Sequence, residues 1–202
     1  IEINGLVAGK EYRFQYLVDS ALYIADPYTD KVLDPWNDSY ITAETYPDLI
    51  QYPKDTASGM ISVLQTAQTP YAWDVAAFDA PNKSELIIYE LLIRDFVAKH
   101  DFKTLIDTLH YLDDLGINAI ELMPVSEFEG NLSWGYNPSF YFAPDKYYGP
   151  KNDMKAFIDS CHVRGIAVIM DIVLNHCFGQ SPFVQLYLDH YGTDQIFMKT
   201  PN

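Results

Sequence analysis

The chain has 202 residues, 49% of them hydrophobic, which is enough apolar side chain for a sizeable core in one or two domains. Its 13 Lys and Arg residues against 28 Asp and Glu residues give a net charge of −15, so neither nucleic acid nor an anionic membrane is an expected partner. The sequence holds no run of 18 apolar residues, so we expect no membrane span, and it leaves the cellular compartment open.

Residues 1–40 predict a small all-β unit. Strand-forming residues occupy 1–4, 11–18 and 21–24, with a Gly-rich turn after the first segment. Residues 41–84 are rich in Asp, Pro, Thr and Tyr and show no sustained period, so we expect a connector packed over a domain junction.

From residue 85 to residue 202 the pattern changes to strands and helices in alternation, which predicts an α/β domain with a parallel sheet. The strands are predicted at Leu86–Leu92, Ile117–Met123 and Ile166–Met170. The helices are predicted from Asp101 or Phe102 to Leu115, and from Asn152 or Asp153 to Gly165.

Polar residues follow directly after the third apolar strand. Asp171, Asn175 and His176 lie where this strand emerges from the predicted core, and a site built at strand ends is typical of parallel sheets. Glu90 and Glu121 interrupt the first two strands. We predict that these two are buried members of a structural polar network rather than an acid pair.

The connection between the second strand and the second helix is far longer than is usual, which favours a functional loop. It contains Trp134, Tyr136 and Asn137 in the run Ser-Trp-Gly-Tyr-Asn-Pro. An aromatic face is a physically suitable platform for a sugar ring, whereas an isolated loop tyrosine more often packs against its neighbours.

These motifs together resemble a known family. Asp171-x-x-x-Asn175-His176 is similar to the first signature of the α-amylase family of glycoside hydrolases. The run Glu121-Leu-Met-Pro-Val, followed by Trp-Gly-Tyr136-Asn-Pro, resembles the second barrel segment of members related to branching enzymes and trehalohydrolases. The resemblance implies the first three βα units of a TIM-type (β/α)8 barrel in residues 85–202. It also implies that residues 1–40 are the end of an immunoglobulin-like β-sandwich.

The resemblance also implies roles for single residues. Tyr136 would stack on the sugar at the cleavage subsite, with Trp134 and Asn137 as further substrate-binding residues of the same loop. His176 would donate a hydrogen bond to the same sugar, and Asp171 would support the site beside an Arg that the fourth strand supplies. The position of Asn175 matches a ligand of structural calcium in many members, and no other cofactor is expected.

The implied protein is a retaining glycoside hydrolase or transglycosylase that acts on α-1,4 glucans such as starch or glycogen, with α-1,6 glucans as a second class. The nucleophile and general acid would lie beyond Asn202. We therefore expect a chain truncated at both ends, inactive alone and partnered by the remainder of its own barrel. Hydrolysis, branching and trehalose-forming chemistry all stay open.

Two alternatives remain. One is a non-catalytic amylase-like barrel that serves protein contacts, although intact Asp171, Asn175, His176 and Tyr136 count against it. The other is a metal-dependent hydrolase with Asp171 and His176 as ligands, which stoichiometric zinc in the intact protein would favour.

Overall fold

The computed structural model describes the backbone of residues 2–190 and the side chains of residues 2–187. Its strands are β1 (Glu11–Phe14), β2 (Tyr16–Val18), β3 (Leu22–Ile24), β4 (Val32–Leu33), β5 (Ile61–Gln65), β6 (Ile88–Leu91), β7 (Ala119–Leu122), β8 (Ser126–Phe128), β9 (Pro138–Pro144) and β10 (Ala167–Met170). Its α-helices are α1 (Ile93–Phe96), α2 (Phe102–Asp107), α3 (Leu109–Asp114) and α4 (Lys151–Val163). Within this part of the chain, no helix is long and apolar enough to span a lipid bilayer.

Three parallel strands form the start of a barrel. Strand β7 lies between β6 and β10, and the register pairs Leu122 with Leu91 on one side and Met170 on the other. The strands follow one another in chain order with a helical connection between each pair, as successive βα units do. The predicted partial barrel is confirmed. Each strand is shorter than its apolar run, because pairing begins only where neighbouring strands overlap.

The helices cover one face of this sheet and share its main core. Leu105, Leu109 and Leu112 share one buried cluster with Phe157 and Cys161 of α4, and all five side chains are fully buried. Burying a side chain of the Leu or Phe type contributes about 1.5–3 kcal/mol to folding. The apolar periodicity of the two helical segments therefore decides which face of each helix packs against the sheet.

The first predicted helix is wrong in two respects. It is interrupted at Thr108, whose hydroxyl donates to the carbonyl oxygen of Thr104 at 2.6 Å, while its N–H donates to the carbonyl oxygens of Leu105 and Ile106 instead of continuing the regular ladder. Such back-bonding by a threonine competes with the regular helical ladder. The helix also ends one residue before the predicted Leu115, at Asp114, and Leu115 is exposed.

The second helix begins earlier than predicted. Pro150 is its N-cap and Lys151 its first residue, so Asn152 and Asp153 lie inside the first turn. Proline suits this end of a helix, because its missing N–H would have no partner there in any case. The helix ends before Gly165, which takes φ +74, as expected for a C-terminal glycine.

The N-terminal residues form an antiparallel sheet in the order β1-β5-β4, beside a hairpin of β2 and β3. Residues 2–4 form no strand, so the prediction for 1–4 is wrong in the part that the structure describes. Strand β5 comes from the segment predicted as a connector and pairs with β1 from Ser62 to Gln65. The sheet thus includes residues on both sides of residue 40.

Residues 71–75 of the predicted connector are hydrogen-bonded to α4. The carboxylate of Asp159 accepts hydrogen bonds from the N–H groups of Asp74 and Val75 and from the hydroxyl of Tyr71. These backbone bonds hold the pKa of Asp159 below its usual range, so this helix residue stays charged and retains the segment.

Candidate active site

The predicted site residues meet at the carboxyl ends of the three parallel strands. Asp171 follows β10 directly, and its N–H donates to the carbonyl oxygen of Leu122 at 3.0 Å. Glu121 lies in register with Glu90 and with Ile169, so the acids of neighbouring strands share the face opposite the helices. Glu90 is exposed and Glu121 half-buried in the described residues, so their predicted burial is wrong here.

The long connection after β7 contains a hairpin that the sequence did not predict. Strands β8 and β9 are antiparallel, with Phe128 opposite Pro138. The N–H of Glu129 donates to the carbonyl oxygen of Asn137 at 3.2 Å, one step further out. This pairing closes residues 129–137 into a loop, which we call the platform loop, and the loop carries Tyr136.

Gly135 allows the platform loop to lie directly on the end of β7. Its φ is +87, and a Cβ at this position would be 2.2 Å from the carbonyl oxygen of Pro124. Backbone approach at this distance is open only to glycine. The position of the next residue, Tyr136, is thereby fixed relative to the strand ends.

Tyr136 is hydrogen-bonded to Asp171. Its hydroxyl donates to Asp171 Oδ2 at 2.5 Å, and 36% of the residue is exposed, so the phenol is held while the side chain remains accessible. The hydrogen bond to Asp171, followed by burial and the charges of Asp171, Glu90 and Glu121, raises the pKa of Tyr136 to about 12. The hydroxyl therefore stays protonated at neutral pH and continues to donate.

His176 is oriented by the backbone of the same loop. Its Nε2 lies 2.7 Å from the carbonyl oxygen of Tyr136, and a carbonyl only accepts, so this nitrogen carries the hydrogen. The main-chain oxygen of His176 accepts a hydrogen bond from Tyr141 at 2.7 Å. Since Nε2–H is directed to Tyr136, Nδ1 is the ring nitrogen left to meet a ligand. Donation to a sugar by this histidine stays a prediction.

Trp134 and Asn137 have different surroundings. Trp134 is 61% exposed near the tip of the platform loop, where its indole is open to a ligand. The amide of Asn137 donates to the carbonyl oxygen of Glu129 at 2.9 Å and accepts from the hydroxyl of Ser133. Asn137 therefore shapes the loop, and its contact with substrate stays a prediction.

The calcium prediction finds no built site in the part of the chain that the structure describes. Asn175 is exposed at the bend after β10, and calcium requires 6 to 8 oxygen ligands. Among these residues there is no group of three or more His, Cys, Asp or Glu side chains placed to hold a metal ion. Asp171 and His176 both bond to Tyr136, which does not favour the zinc-ligand alternative.

Three residues that hold the site were missed by sequence reasoning. Tyr141 anchors the main chain of His176, Ser133 bonds to Asn137 and to the N–H of Gly135, and Glu129 accepts from the N–H of Gln180 at 2.8 Å. The bonds of Tyr141 and Glu129 span 35 and 51 residues, so no local pattern could indicate them. Only Ser133, next to the aromatic motif, was within reach of the sequence.

Comparison with known proteins places this arrangement in a family. The family model described as "Alpha amylase, catalytic domain" matches residues 64–194, which is more than half of the chain. A solved structure of a candidate α-amylase from Salmonella typhimurium has a TM-score of 0.69 and 27% identity, covering 91% of this chain and 27% of that one. The pullulanase SAP of Group B Streptococcus, solved with maltotetraose, has a TM-score of 0.60 at 24% identity, covering 83% and 24%, and shows the shared fold alone.

Curated relatives agree with the structural neighbours. Malto-oligosyltrehalose trehalohydrolase of Saccharolobus solfataricus is 36% identical over 106 residues, 52% of this chain and 19% of the relative. The 1,4-alpha-glucan branching enzyme of Pseudomonas fluorescens is 34% identical over 191 residues, 85% of this chain and 25% of the relative. The chain thus spans a quarter of these relatives at most. With the family match, the parallel strands and the motifs at their ends, the chain belongs to the α-amylase family.

Proposed function

We propose that this chain is part of a retaining glycoside hydrolase or transglycosylase that acts on α-1,4 glucans, with α-1,6 glucans as a second class. The observation that carries the proposal is the bonded group of Tyr136, Asp171 and His176 at the carboxyl ends of parallel barrel strands. Sites of barrel enzymes are built at this face. Trehalohydrolases and a branching enzyme among the relatives support the substrate class.

In this proposal, the chain supplies one wall of the site. A glucose ring stacks on the phenol of Tyr136, whose hydroxyl is restrained by Asp171. His176 meets the same sugar through Nδ1, which accepts from a sugar hydroxyl when the ring is neutral and donates when it is charged. The restraint matters because the sugar must be held in position while the glycosidic bond breaks.

The bond cleavage itself needs a proton donor for the leaving oxygen and a carboxylate nucleophile, about 5 to 5.5 Å apart in retaining enzymes. Of the acids near the wall, Asp171 is already bonded to Tyr136, which suits a supporting role. We propose that both catalytic carboxylates come from the remainder of the barrel. The carboxylates of Asp171, Glu90 and Glu121 would add negative potential near the oxocarbenium-like transition state.

The domain arrangement remains part of the proposal. Residues 1–40 would close an immunoglobulin-like sandwich, 41–84 would connect, and 85–202 would begin the barrel. The antiparallel sheet of β1, β5 and β4 supports a β-rich N-terminal unit. Residues 191–202 lie outside the described part, so this portion of the third unit is carried by the prediction alone.

A non-catalytic barrel is the second candidate, and one experiment separates the two. The full-length protein is incubated with maltooligosaccharides and with a branched α-glucan, and the anomeric configuration of the first product is read by NMR. Turnover with retained α configuration, reduced by Tyr136→Ala without an equal fall in Tm, supports the proposal. Folded protein without turnover on either substrate assigns the chain to the non-catalytic candidate.

A further inference from the structure

A rigid turn at residues 34–38 packs against the platform loop from the N-terminal side. The carboxylate of Asp34 accepts from the N–H groups of Trp36 at 2.7 Å and Asn37 at 3.2 Å, and from the side-chain amide of Asn37 at 2.8 Å. The N–H of Asp34 donates to Asp38 Oδ2 at 2.9 Å. These bonds fix the direction of the Asp38 carboxylate.

Asp38 takes part in a buried ion cluster at the base of the loop. Lys146 Nζ lies 3.3 Å from Asp38 Oδ1 and forms a closer pair with Glu127 Oε1. The side chains of Lys146, Glu127 and Asp38 are only 3%, 5% and 10% exposed. Asp145, also buried, accepts from the N–H groups of Phe128 and Tyr147. A charge pair so shielded from water is sensitive to the loss of one partner.

This cluster lies at the base of the hairpin that carries the platform loop. Glu127 lies in β8, two residues before the loop begins, and Lys146 lies two residues after the end of β9. The same turn also reaches further along the loop, where the side-chain amide of Asn131 donates to the carbonyl oxygen of Asn37 at 3.0 Å. The N-terminal turn therefore braces the loop near its base and near its tip.

From these contacts we infer that Asp38 is a positioning residue for the substrate platform, acting through Lys146 and Glu127 on Tyr136. The contacts of Asp38 with Lys146 and of Asn37 with Asn131 are called the brace below. The inference rests on the proposed function, because it assigns this brace a role in the reaction. The cluster brings three carboxylates to one ammonium group. Removing the charge of Asp38 therefore leaves Lys146 paired with Glu127 but breaks the ion pair between the N-terminal turn and the hairpin.

The positioning role and a purely structural role predict different effects of Asp38 on kcat/KM. If Asp38 acts through Tyr136, its effect on kcat/KM must vanish once the ring of Tyr136 is absent. If it only stabilises the fold, the two effects must add, as they do for independent sites. A double-mutant cycle of Asp38→Asn and Tyr136→Ala in the full-length protein separates the two roles.

We expect Asp38→Asn to lower kcat/KM on maltooligosaccharides about fivefold or more, a coupling of the size found between residues of one network. In the Tyr136→Ala background it should cause no further fall. The matched control is Asp30→Asn, which removes a carboxylate paired with Lys151 at the start of α4 and should leave kcat/KM unchanged. If Asp38→Asn fails to fold, Asn131→Ala, which removes the bond near the tip, replaces it in the same cycle.

Hydrogen exchange provides a readout that does not depend on turnover. Amides of residues 129–137 should exchange faster in Asp38→Asn than in the wild type or in Asp30→Asn. Additive losses of kcat/KM, or an unchanged kcat/KM together with unchanged exchange, overturn the positioning role. A wild-type protein that turns over no α-glucan overturns the proposed function instead, and the exchange result then decides whether the brace exists.

Discussion

The close approach of Gly135 to β7 leads to a sharp prediction. In the full-length protein, Gly135→Ala should lower kcat/KM on maltooligosaccharides far more than Gly130→Ala. Both glycines lie in the platform loop with positive φ, +87 and +78, so either alanine costs about 1–2 kcal/mol in backbone strain. Only at Gly135 does the new Cβ meet backbone, 2.2 Å from the oxygen of Pro124, whereas Gly130 has nothing within 4 Å.

The clash at Gly135 cannot be relieved by a side-chain rotation, because the contacted atom is the main-chain oxygen of Pro124, two residues after the end of β7. The loop must move by about 1 Å, and a displacement of that size at a reacting site costs about 100-fold in rate. The assay is kcat/KM beside Tm for both variants. Equal losses in the two variants, or a fall in Tm at Gly135→Ala without a matching loss of activity, would refute this reasoning.

Three further predictions concern the ring, the buried acid and the isolated chain. Tyr136→Phe should keep most of the kcat/KM that Tyr136→Ala loses, because the ring face carries the proposed stacking; equal losses would assign the effect to the hydroxyl bonded to Asp171. Burial raises the pKa of Asp145 to about 7, against about 4 in an unfolded chain, so its contribution to the free energy of unfolding is full in acid and is lost as pH rises through 7. The Tm of Asp145→Asn minus that of the wild type should therefore increase from pH 5 to pH 8, and a constant difference would contradict this assignment. Purified residues 1–202 should not hydrolyse maltooligosaccharides under conditions where the full-length protein does, and turnover that survives dialysis would place a catalytic pair within this chain.

The barrel strands could be predicted because each is an apolar run with its own local boundary. Gly116 and Gly165 precede the second and third runs, and Pro124 follows the second. Asp171 and the Asn-His pair after the third strand could be predicted equally well, because polar residues directly after a buried strand must lie where that strand leaves the core. The exact bounds of the strands could not be predicted, because they depend on how far neighbouring strands overlap. The interruption at Thr108 could not be predicted either, because it depends on the hydrogen bond that the Thr108 hydroxyl donates to the backbone of Thr104.

The interior of the long loop could not be predicted for a different reason. Strand β8 has three residues, too few for an alternating pattern, and β9 begins with a proline. Their pairing, and the bond from Tyr136 to Asp171, join residues that are far apart in the chain. The brace at Asp38 is more distant still, because a turn in the N-terminal unit meets an ion cluster that only the folded hairpin creates.

The motif from Trp134 to Pro138 nevertheless indicated the loop that bonds to Asp171 and His176, and each of its residues meets a separate physical requirement. Trp134 leaves an indole exposed, and Gly135 permits the contact with β7. Tyr136 provides the ring and the hydroxyl that donates to Asp171. The side-chain amide of Asn137 donates to Glu129 and accepts from Ser133, which holds the loop together. Pro138 is the first residue of β9, a position where a missing N–H is tolerated. Only one or two of these residues would touch a sugar. The others maintain the loop conformation that positions the phenol of Tyr136. Some substitutions in the motif should therefore remove a contact with substrate, and others should change the conformation of the loop.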